Sequence, residues 1–323
     1  MRAALVVGWL CWGLGGCSTG GVQGLVPMEP GDAAASGERE PAASDYSAHL
    51  DLMALGYDDG SFEVRSPAPQ HVLSRGKHGA GIVNVAVSFD GQRLATADRE
   101  GVLAVSETGS GELKILPRAA NAEVGLVAPI GLAWDHAGRR LAIASGRTVR
   151  VVQVEGGELG QAQLDLDVNA LAFSFDDREL VVGGTRISFL SLPDLKETRS
   201  IELPTEYGWS AEHPHVLDLR FNADGSTLGA QLDVGVALFD ARSNRVEAAL
   251  MKDVKVVGLR FAGDGRIAVF ARQALYVGPP RVENVTRDLH KTAGTFWDVE
   301  FRRDDSLLFF GKGIESDVEA LLE

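Results

Sequence analysis

A short pattern recurs six times along the chain, and it constrains the fold more than any other feature of the sequence. In each copy, large apolar residues alternate with smaller or polar ones, and a turn rich in Asp or Gly follows. The copies end on Val87, Trp134, Phe173, Phe221, Phe261 and Phe301, which lie 39 to 48 residues apart. Alternation with a period of two predicts strands, and a spacing near 40 residues indicates a repeat protein.

Residues 81–117 show how one repeat is organised. They predict four strands, one ending at Val87 and the others covering Leu94–Ala97, Val102–Val105 and Leu113–Leu116. Short turns at Asp90-Gly91 and Arg99-Glu100-Gly101 separate the first three strands. Four antiparallel strands joined in this way are typical of one blade of a β-propeller.

The repeat around Phe221 also resembles a known family. It reads Phe-Asn-Ala-Asp-Gly-Ser-Thr-Leu from Phe221 and Gly-Val-Ala-Leu-Phe-Asp from Gly235. This is similar to the WD40 family, whose repeats combine Phe-x-x-Asp-Gly-x-x-Leu with Gly-x-Val-x-Leu-Trp-Asp. The resemblance covers residues 50–310 and implies an all-β propeller that docks partners without chemistry. Phe239-Asp240 is the nearest match to the family's Trp-Asp pair, and the family's buried set of His, Ser or Thr, Asp and Trp is not recognisable from the sequence.

The two ends of the repeat region read as complementary parts of one unit. Leu52–Val64 matches a second and a third strand without an inner strand. The C-terminal part supplies an inner strand at Trp297–Phe301, a second at Leu307–Phe310 and a third at Val318–Leu322. If the terminal strands close the ring, no sheet edge is left exposed. The sequence therefore predicts a seven-bladed propeller, with six blades as the alternative if the ends merge.

Residues 1–16 lie outside the repeat. Ala3–Leu14 has the length of a secretory signal core and is too short to span a bilayer. Leu14-Gly15-Gly16-Cys17 follows and resembles the lipobox of bacterial lipoproteins, which implies removal of residues 1–16 and acylation of Cys17. The alternatives are an ordinary signal peptide and a buried N-terminal helix. Residues 17–45 are rich in Gly, Ala, Ser and Pro and predict a disordered tether before a propeller at 46–323.

Composition limits the cellular compartments and the classes of partner that we expect. The two cysteines are Cys11 and Cys17, so the lipidated chain would contain no disulfide. The formal net charge of −14 argues against nucleic acid as a partner. Ser18 belongs to the residue types that, by the lipoprotein resemblance, permit sorting to the outer membrane. We expect attachment through the lipid alone, at the periplasmic face of the outer membrane.

No pattern in the sequence predicts a catalytic residue, a cofactor or a metal ligand. His213 and His215 form a single His-x-His, which is a weak metal signal. Phosphate loops, nucleophile elbows and zinc-protease His pairs do not occur in the sequence. We therefore favour a non-enzymatic scaffold that binds another cell-envelope protein. Two alternatives stay open: a hydrolase of the lactonase type with a metal at the channel mouth, and an envelope-assembly factor similar to the propeller lipoprotein of the outer-membrane barrel-assembly machinery.

Two sets of residues are candidates for contact with that partner. Tyr207 and Trp209 lie in the long connection 204–215, where exposed aromatic rings would serve as anchors unless they cover the core. The second set is predicted at the turns between the second and third strands, on the same face of the propeller, and consists of Arg99, Arg147, Arg186, Arg272 and Lys312. These basic residues predict an acidic partner, the alternative being that they are ordinary solvated turn residues.

Charged residues also occur between the apolar anchors of the later repeats. Arg220, Arg260 and Glu300 occupy the same position in successive units. A lone buried charge costs several kcal/mol, so we predict that Arg260 and Glu300 pair across the seam between two blades. We interpret this pair as structural.

Overall fold

The computed structural model describes residues 40–66, 71–110, 112–116, 131–203, 214–252, 254–280, 290–291 and 295–312. Within these ranges the regular elements are β-strands, arranged as an all-β propeller with six four-stranded blades and a further two-stranded sheet. No helix in the described ranges is long and apolar enough to cross a membrane. The chain forms two compact units. Of the described residues, the N-terminal unit holds those up to Gly146 together with Val152–Gly157, and the C-terminal unit holds Arg147–Val151 and those from Glu158 onward.

The sheets of the N-terminal unit follow chain order from the inner strand to the outer strand. The first sheet consists of β1 (Ala43–Ser47), β2 (Leu52–Gly56), β3 (Ser61–Ser66) and β4 (His71–Lys77). The second consists of β5 (Ile82–Val87), β6 (Arg93–Asp98), β7 (Leu103–Glu107) and β8 (Leu113–Ile115). The third sheet begins in this unit and consists of β9 (Gly131–Trp134), β10 (Arg140–Ser145), β11 (Thr148–Gln153) and β12 (Gly157–Gln163).

The C-terminal unit continues with sheets of the same order. The fourth sheet consists of β13 (Ala170–Phe173), β14 (Glu179–Gly183), β15 (Arg186–Ser191) and β16 (Lys196–Glu202). The fifth consists of β17 (Val216–Phe221), β18 (Thr227–Leu232), β19 (Val236–Asp240) and β20 (Val246–Leu250). The sixth consists of β21 (Val256–Phe261), β22 (Ile267–Ala271), β23 (Ala274–Gly278) and β24 (His290–Lys291). The two-stranded sheet consists of β25 (Thr295–Phe301) and β26 (Leu307–Lys312).

Apolar side chains between neighbouring sheets form the core. In the C-terminal unit, Leu219 and Phe221 of β17 pack into one cluster with Ala170 and Ala172 of β13. The small alanines leave room for the larger anchors of the next inner strand, as their spacing in the sequence predicts. In the N-terminal unit, Trp134 packs near Ala86 in the same way, and its indole N–H donates to the Ala86 carbonyl at 2.9 Å.

The number of blades and the roles of the two ends differ from the favoured prediction. Six four-stranded blades are formed, not seven. Among the described strands, no blade is shared between the ends, because β1–β4 form a complete sheet and β25 and β26 pair with each other. The first inner strand begins at Ala43, inside the predicted tether. The sequence conceals this strand because Ala-Ser-Asp-Tyr-Ser lacks alternating apolar anchors. Its Asp45 carboxylate instead accepts the Val87 N–H at 2.7 Å.

The connection between the first and second strands of a sheet, here called the first turn, explains the recurrent aspartate. In five repeats the carboxylate of this residue accepts the N–H two residues later, and the residues are Asp90, Asp176, Asp224, Asp264 and Asp304. The residue that follows each aspartate has a positive φ and is Gly91, Asp177, Gly225, Gly265 or Asp305. The recurrent aspartates therefore stabilise the first turns through these hydrogen bonds.

Candidate functional site

Several residues singled out from the sequence lie outside the described ranges. They are Cys17, Tyr207, Trp209 and His213. Lys312 ends β26, and its side chain is outside the described part as well. The lipidation site and the aromatic docking residues therefore stay predictions.

In the N-terminal unit, the predicted basic residue Arg99 lies in the turn between β6 and β7. Its guanidinium contacts the carboxylate of Asp58, in the equivalent turn of the first sheet. Both side chains are more than half exposed. The neighbouring carboxylate offsets the positive charge of Arg99 at this position.

In the C-terminal unit, two more of these arginines meet aspartates of the connection before β13. Arg147 Nε lies 3.3 Å from Asp167 Oδ1, and Arg186 Nη2 lies 2.7 Å from Asp165 Oδ1. The hydrogen bond from Arg186 lowers the pKa of Asp165, and the pKa of Arg186 is raised in turn. Arg272 is exposed in the turn between β22 and β23. Three of the five basic residues therefore have carboxylate neighbours, which reduces the positive surface that the sequence suggests.

The structure brings Arg260 and Glu300 together across two neighbouring sheets. Arg260 Nε donates to Glu300 Oε1 at 2.5 Å, and Nη2 donates to Asp298 Oδ1 at 2.7 Å. The guanidinium also lies 3.7 Å from Asp218 on the preceding sheet, through Nη1. Asp218 in turn accepts from Arg220 Nε at 3.1 Å. We call these five residues the Arg260 cluster.

The Arg260 cluster is largely buried, and burial shapes its protonation. Burial raises the pKa of Glu300 to about 8; Arg260 opposes this shift, and the Asp298 carboxylate adds to it. Burial lowers the pKa of Arg260, but the three carboxylates outweigh it and raise that pKa. Burial therefore favours the protonated form of Glu300, whereas the surrounding carboxylates favour the charged form of Arg260.

A buried hydrogen-bonded set in the second sheet was not recognised from the sequence. His78 Nδ1 lies 3.1 Å from Asp98 Oδ2, and Nε2 lies 2.8 Å from Thr96 Oγ1. All three residues are buried. They correspond to three of the four residue types that the WD40 resemblance implies, while β7 carries no Trp. The sequence does not reveal this set because His78 precedes the repeat and has no metal-type neighbour.

A second buried charge cluster lies in the first sheet. Glu63 accepts from the Tyr57 hydroxyl at 2.7 Å and contacts the Arg65 guanidinium. Arg75 Nε lies 3.5 Å from the other carboxylate oxygen. Burial lowers the pKa of Arg65. Because one buried acid is shared by two cations, we interpret this group as structural.

Exposed apolar and imidazole side chains meet at the first turns of the N-terminal unit. Phe89 is 64% exposed, and its ring centroid lies 6.4 Å from that of His49 and 5.8 Å from that of His136. Leu50, 42% exposed, lies against Gly91 of the next first turn. We call Leu50, His49, Phe89 and His136 the first-turn patch. It lies at the sheet end opposite the turns that carry the predicted basic residues.

Phe175 occupies the same first-turn position in the C-terminal unit. It is 52% exposed, and its side chain lies against Gly225 of the fifth sheet. Sequence reasoning missed both phenylalanines, although Ser-Phe-Asp recurs at 88–90 and 174–176. The repeated motif was the signal that could have identified them.

Within the described ranges, no three His, Cys, Asp or Glu side chains are grouped closely enough to hold a metal ion. No family model matches the chain, and no curated protein matches it. The blades and the buried His78 set are consistent with a WD40-like propeller.

Proposed function

We propose that this protein is a lipid-anchored, non-enzymatic propeller that binds another cell-envelope protein, and that the first-turn patch makes the contact. The observation that carries this proposal is the exposure of Phe89 between two imidazole rings. Burying an exposed phenylalanine side chain in an interface is favourable, and aromatic residues are frequent anchors of protein interfaces.

Strand direction supports a patch that faces away from the anchor. β1 begins at Ala43 and runs toward the first turn that carries Leu50, so the chain enters the sheet at the end opposite the patch. Of the predicted tether 17–45, residues 17–42 precede β1, and a flexible chain of this length from an acylated Cys17 would have a root-mean-square span of roughly 28 Å. This geometry favours a protein partner over the membrane as the occupant of the patch.

The anchor and the docking contact require separate experiments. Acylation is measured by palmitate incorporation into the wild-type chain and into Cys17→Ser, and we expect loss of the label in the variant. A Cys17→Ser chain that keeps its label would overturn the anchor without affecting the docking proposal.

Docking is tested by photo-crosslinking in intact cells. A photoreactive phenylalanine analogue replaces Phe89, or Ile115 as the matched control, because Ile115 is 57% exposed on an outer strand of the same unit. We expect a defined crosslinked species from position 89 that is lost when Leu50→Ser is added. Equal crosslinking from positions 89 and 115 contradicts the patch.

A further pair of variants decides between the two faces. Tyr207→Ala with Trp209→Ala changes the face that the sequence favours and leaves the first-turn patch intact. The proposal expects the crosslink from position 89 to persist in this double variant. Its loss there, with no effect of Leu50→Ser, would assign docking to the face of Tyr207 and Trp209 instead.

A further inference from the structure

The two-stranded sheet is held to the sixth sheet by one apolar cluster and one charged cluster. The apolar cluster contains Val299, Phe301 and Leu307 of the two-stranded sheet, packed with Phe270 of β22. Among the described strands, the outer edge of β26 pairs with no further strand. In the described part of this sheet, β25 supplies two residues of the apolar cluster, Val299 and Phe301, and both strands contribute to it.

The Arg260 cluster contains three carboxylates and two guanidinium groups. β25 contributes Asp298 and Glu300, and both hydrogen-bond to the single guanidinium of Arg260 from β21. Asp298 is 4% exposed and Glu300 7% exposed. If both were ionised, two neighbouring negative charges would share the Arg260 guanidinium in a buried seam, which is costly.

We propose that the Arg260 cluster makes the docking of the β25–β26 sheet proton-dependent, so that this sheet loosens when Glu300 loses its proton. The charged groups that act on Glu300 are Arg260 from β21, Asp298 from its own strand and Arg220 from β17. Asp218, also on β17, contacts both arginines. The neighbour on β22 is the uncharged Phe270, whose ring centroid is 5.7 Å from the Arg260 guanidinium carbon. The backbone partner of Glu300 on β26 is Leu308.

Protonation of Glu300 removes the repulsion between the two carboxylates of β25. With Glu300 neutral, Asp298 keeps its hydrogen bond from Arg260, and Asp218 keeps its hydrogen bond from Arg220. The raised pKa of Glu300, caused first by burial, agrees with this arrangement. Ionisation at alkaline pH would place a second negative charge beside Asp298, and opening of the sheet would release that charge to water.

Linkage gives the direction and the size of the effect. The pKa of Glu300 is higher in the docked sheet than in the open one, so docking is strongest below the ordinary glutamate pKa and weakens as pH rises toward about 8. Opening then releases up to one proton, and the opening constant rises by up to about tenfold per pH unit. Above that range the opening constant levels off.

Hydrogen exchange of the full-length protein measures this opening. Exchange is followed by mass spectrometry from pH 6 to 9, corrected for the intrinsic rate at each pH, with peptides from β13–β14, which carry no member of the Arg260 cluster, as the internal reference. We expect the opening constant of β25–β26 to rise between pH 6 and 8 and then to level off, beyond any change in β13–β14.

Three variants test the assignment to Glu300. Glu300→Gln removes the titrating group, and Asp298→Asn lets Arg260 neutralise Glu300, so each is expected to flatten the pH dependence. Glu112→Gln, at an exposed position, is the control and should keep the wild-type slope. A flat wild-type profile, or a slope that persists in both Glu300→Gln and Asp298→Asn, overturns the proposal. If one variant fails to fold, the other and the wild-type profile decide.

Discussion

The Asp98 carboxylate satisfies three buried or partly buried partners at once. It lies against the His78 ring and accepts the N–H groups of Glu100 at 3.0 Å and Val102 at 2.9 Å. One side chain thereby fixes a turn and joins it to the segment before β5. We therefore expect Asp98 to contribute far more to the free energy of unfolding than the exposed residues near it.

We expect Asp98→Ala to lower the free energy of unfolding by about 2–4 kcal/mol, because it leaves buried donors without an acceptor. Denaturant-induced unfolding measures the change. Asp58→Ala is the matched control: its exposed carboxylate pairs with Arg99, and an exposed pair contributes about 0–1 kcal/mol. Equal losses in the two variants would contradict the role assigned to the His78 set.

Gly225 has both a positive φ and no room for a Cβ, whereas Gly265 has the positive φ alone. The φ of Gly225 is +70°, and a Cβ there would lie 2.3 Å from Phe175 Cβ, whereas Gly265 has φ +89° and open space. Alanine at either position is strained by about 1–2 kcal/mol, and Gly225→Ala should lose about 1–3 kcal/mol more through the clash. Thermal or denaturant unfolding of Gly225→Ala and Gly265→Ala measures the difference. No difference would show that Phe175 does not press on the fifth sheet.

Seams between sheets show how charge supplements apolar packing at the scale of elements. The inner strands β5 and β13 meet the next sheet through alanines packed near a large anchor, Trp134 or Phe221. The seam between β21 and β25 instead uses Arg260, whose five N–H donors bridge two carboxylates on the next strand. A charged contact between sheets is stable only while each buried charge keeps its partner.

Arg260→Met should therefore destabilise the protein by about 3–5 kcal/mol, because it leaves buried carboxylates without a cation. Arg272→Met is the control, at an exposed turn in the same sheet, and should change stability by less than about 0.5 kcal/mol. Chemical denaturation of both variants supplies the comparison. A loss at position 260 no greater than at position 272 would refute the buried network.

The first turns predict a sensitivity to acid. Hydrogen bonds from Ser226 lower the pKa of Asp224, the Arg266 N–H lowers that of Asp264, and Ser306 lowers that of Asp304. Depressed values mean that these residues stabilise the fold above the ordinary aspartate pKa of about 3.9 and lose that contribution as pH falls through their folded values.

The triple variant Asp224→Asn, Asp264→Asn, Asp304→Asn keeps one acceptor oxygen at each position and removes the titration. Its free energy of unfolding should decline less steeply than that of the wild type between pH 5 and 2, as followed by urea denaturation. Glu112→Gln serves as the control. Identical acid profiles for the wild type and the triple variant would exclude this contribution of the turns.

Sequence patterns predicted the strands well where apolar anchors alternate. In the second sheet the predicted second strand, Leu94–Ala97, lies within β6, and the predicted end at Val87 is the observed end of β5. The polar β1 escaped detection because its side chains give no alternating apolar signal. The favoured count of seven treated the C-terminal strands as a further blade, whereas β25 and β26 form only a two-stranded sheet among the described strands.

The candidate sites were predictable only in part, for a related reason. Arg260 and Glu300 stand at equivalent positions 40 residues apart, so the repeat alone brings them together. The contacts of Arg260 with Asp298 and Asp218 were not predicted, because contacts between side chains on neighbouring sheets depend on side-chain length and conformation, which the repeat spacing does not give. The pairing of Arg147 and Arg186 with aspartates was not predicted for the same reason.

The whole molecule repeats one plan in both units. Among the described residues, each unit has apolar clusters between sheets, a buried charge cluster and an exposed phenylalanine on a first turn, at Phe89 or Phe175. The charge cluster of the C-terminal unit joins neighbouring sheets, whereas that of the N-terminal unit lies within the first sheet. Under the docking proposal, the first turn of Phe89 contacts another protein.

The affinity for the partner captured from position 89 is the most direct test of the docking proposal. Isothermal titration compares the wild-type chain with Phe89→Ser and with the control Ile115→Ser, both exposed positions of the N-terminal unit. An interface anchor contributes about 2 kcal/mol or more, so Phe89→Ser should weaken binding by roughly 30-fold or more while Ile115→Ser leaves it unchanged. Equal affinities for the wild type and Phe89→Ser would contradict docking through the first-turn patch.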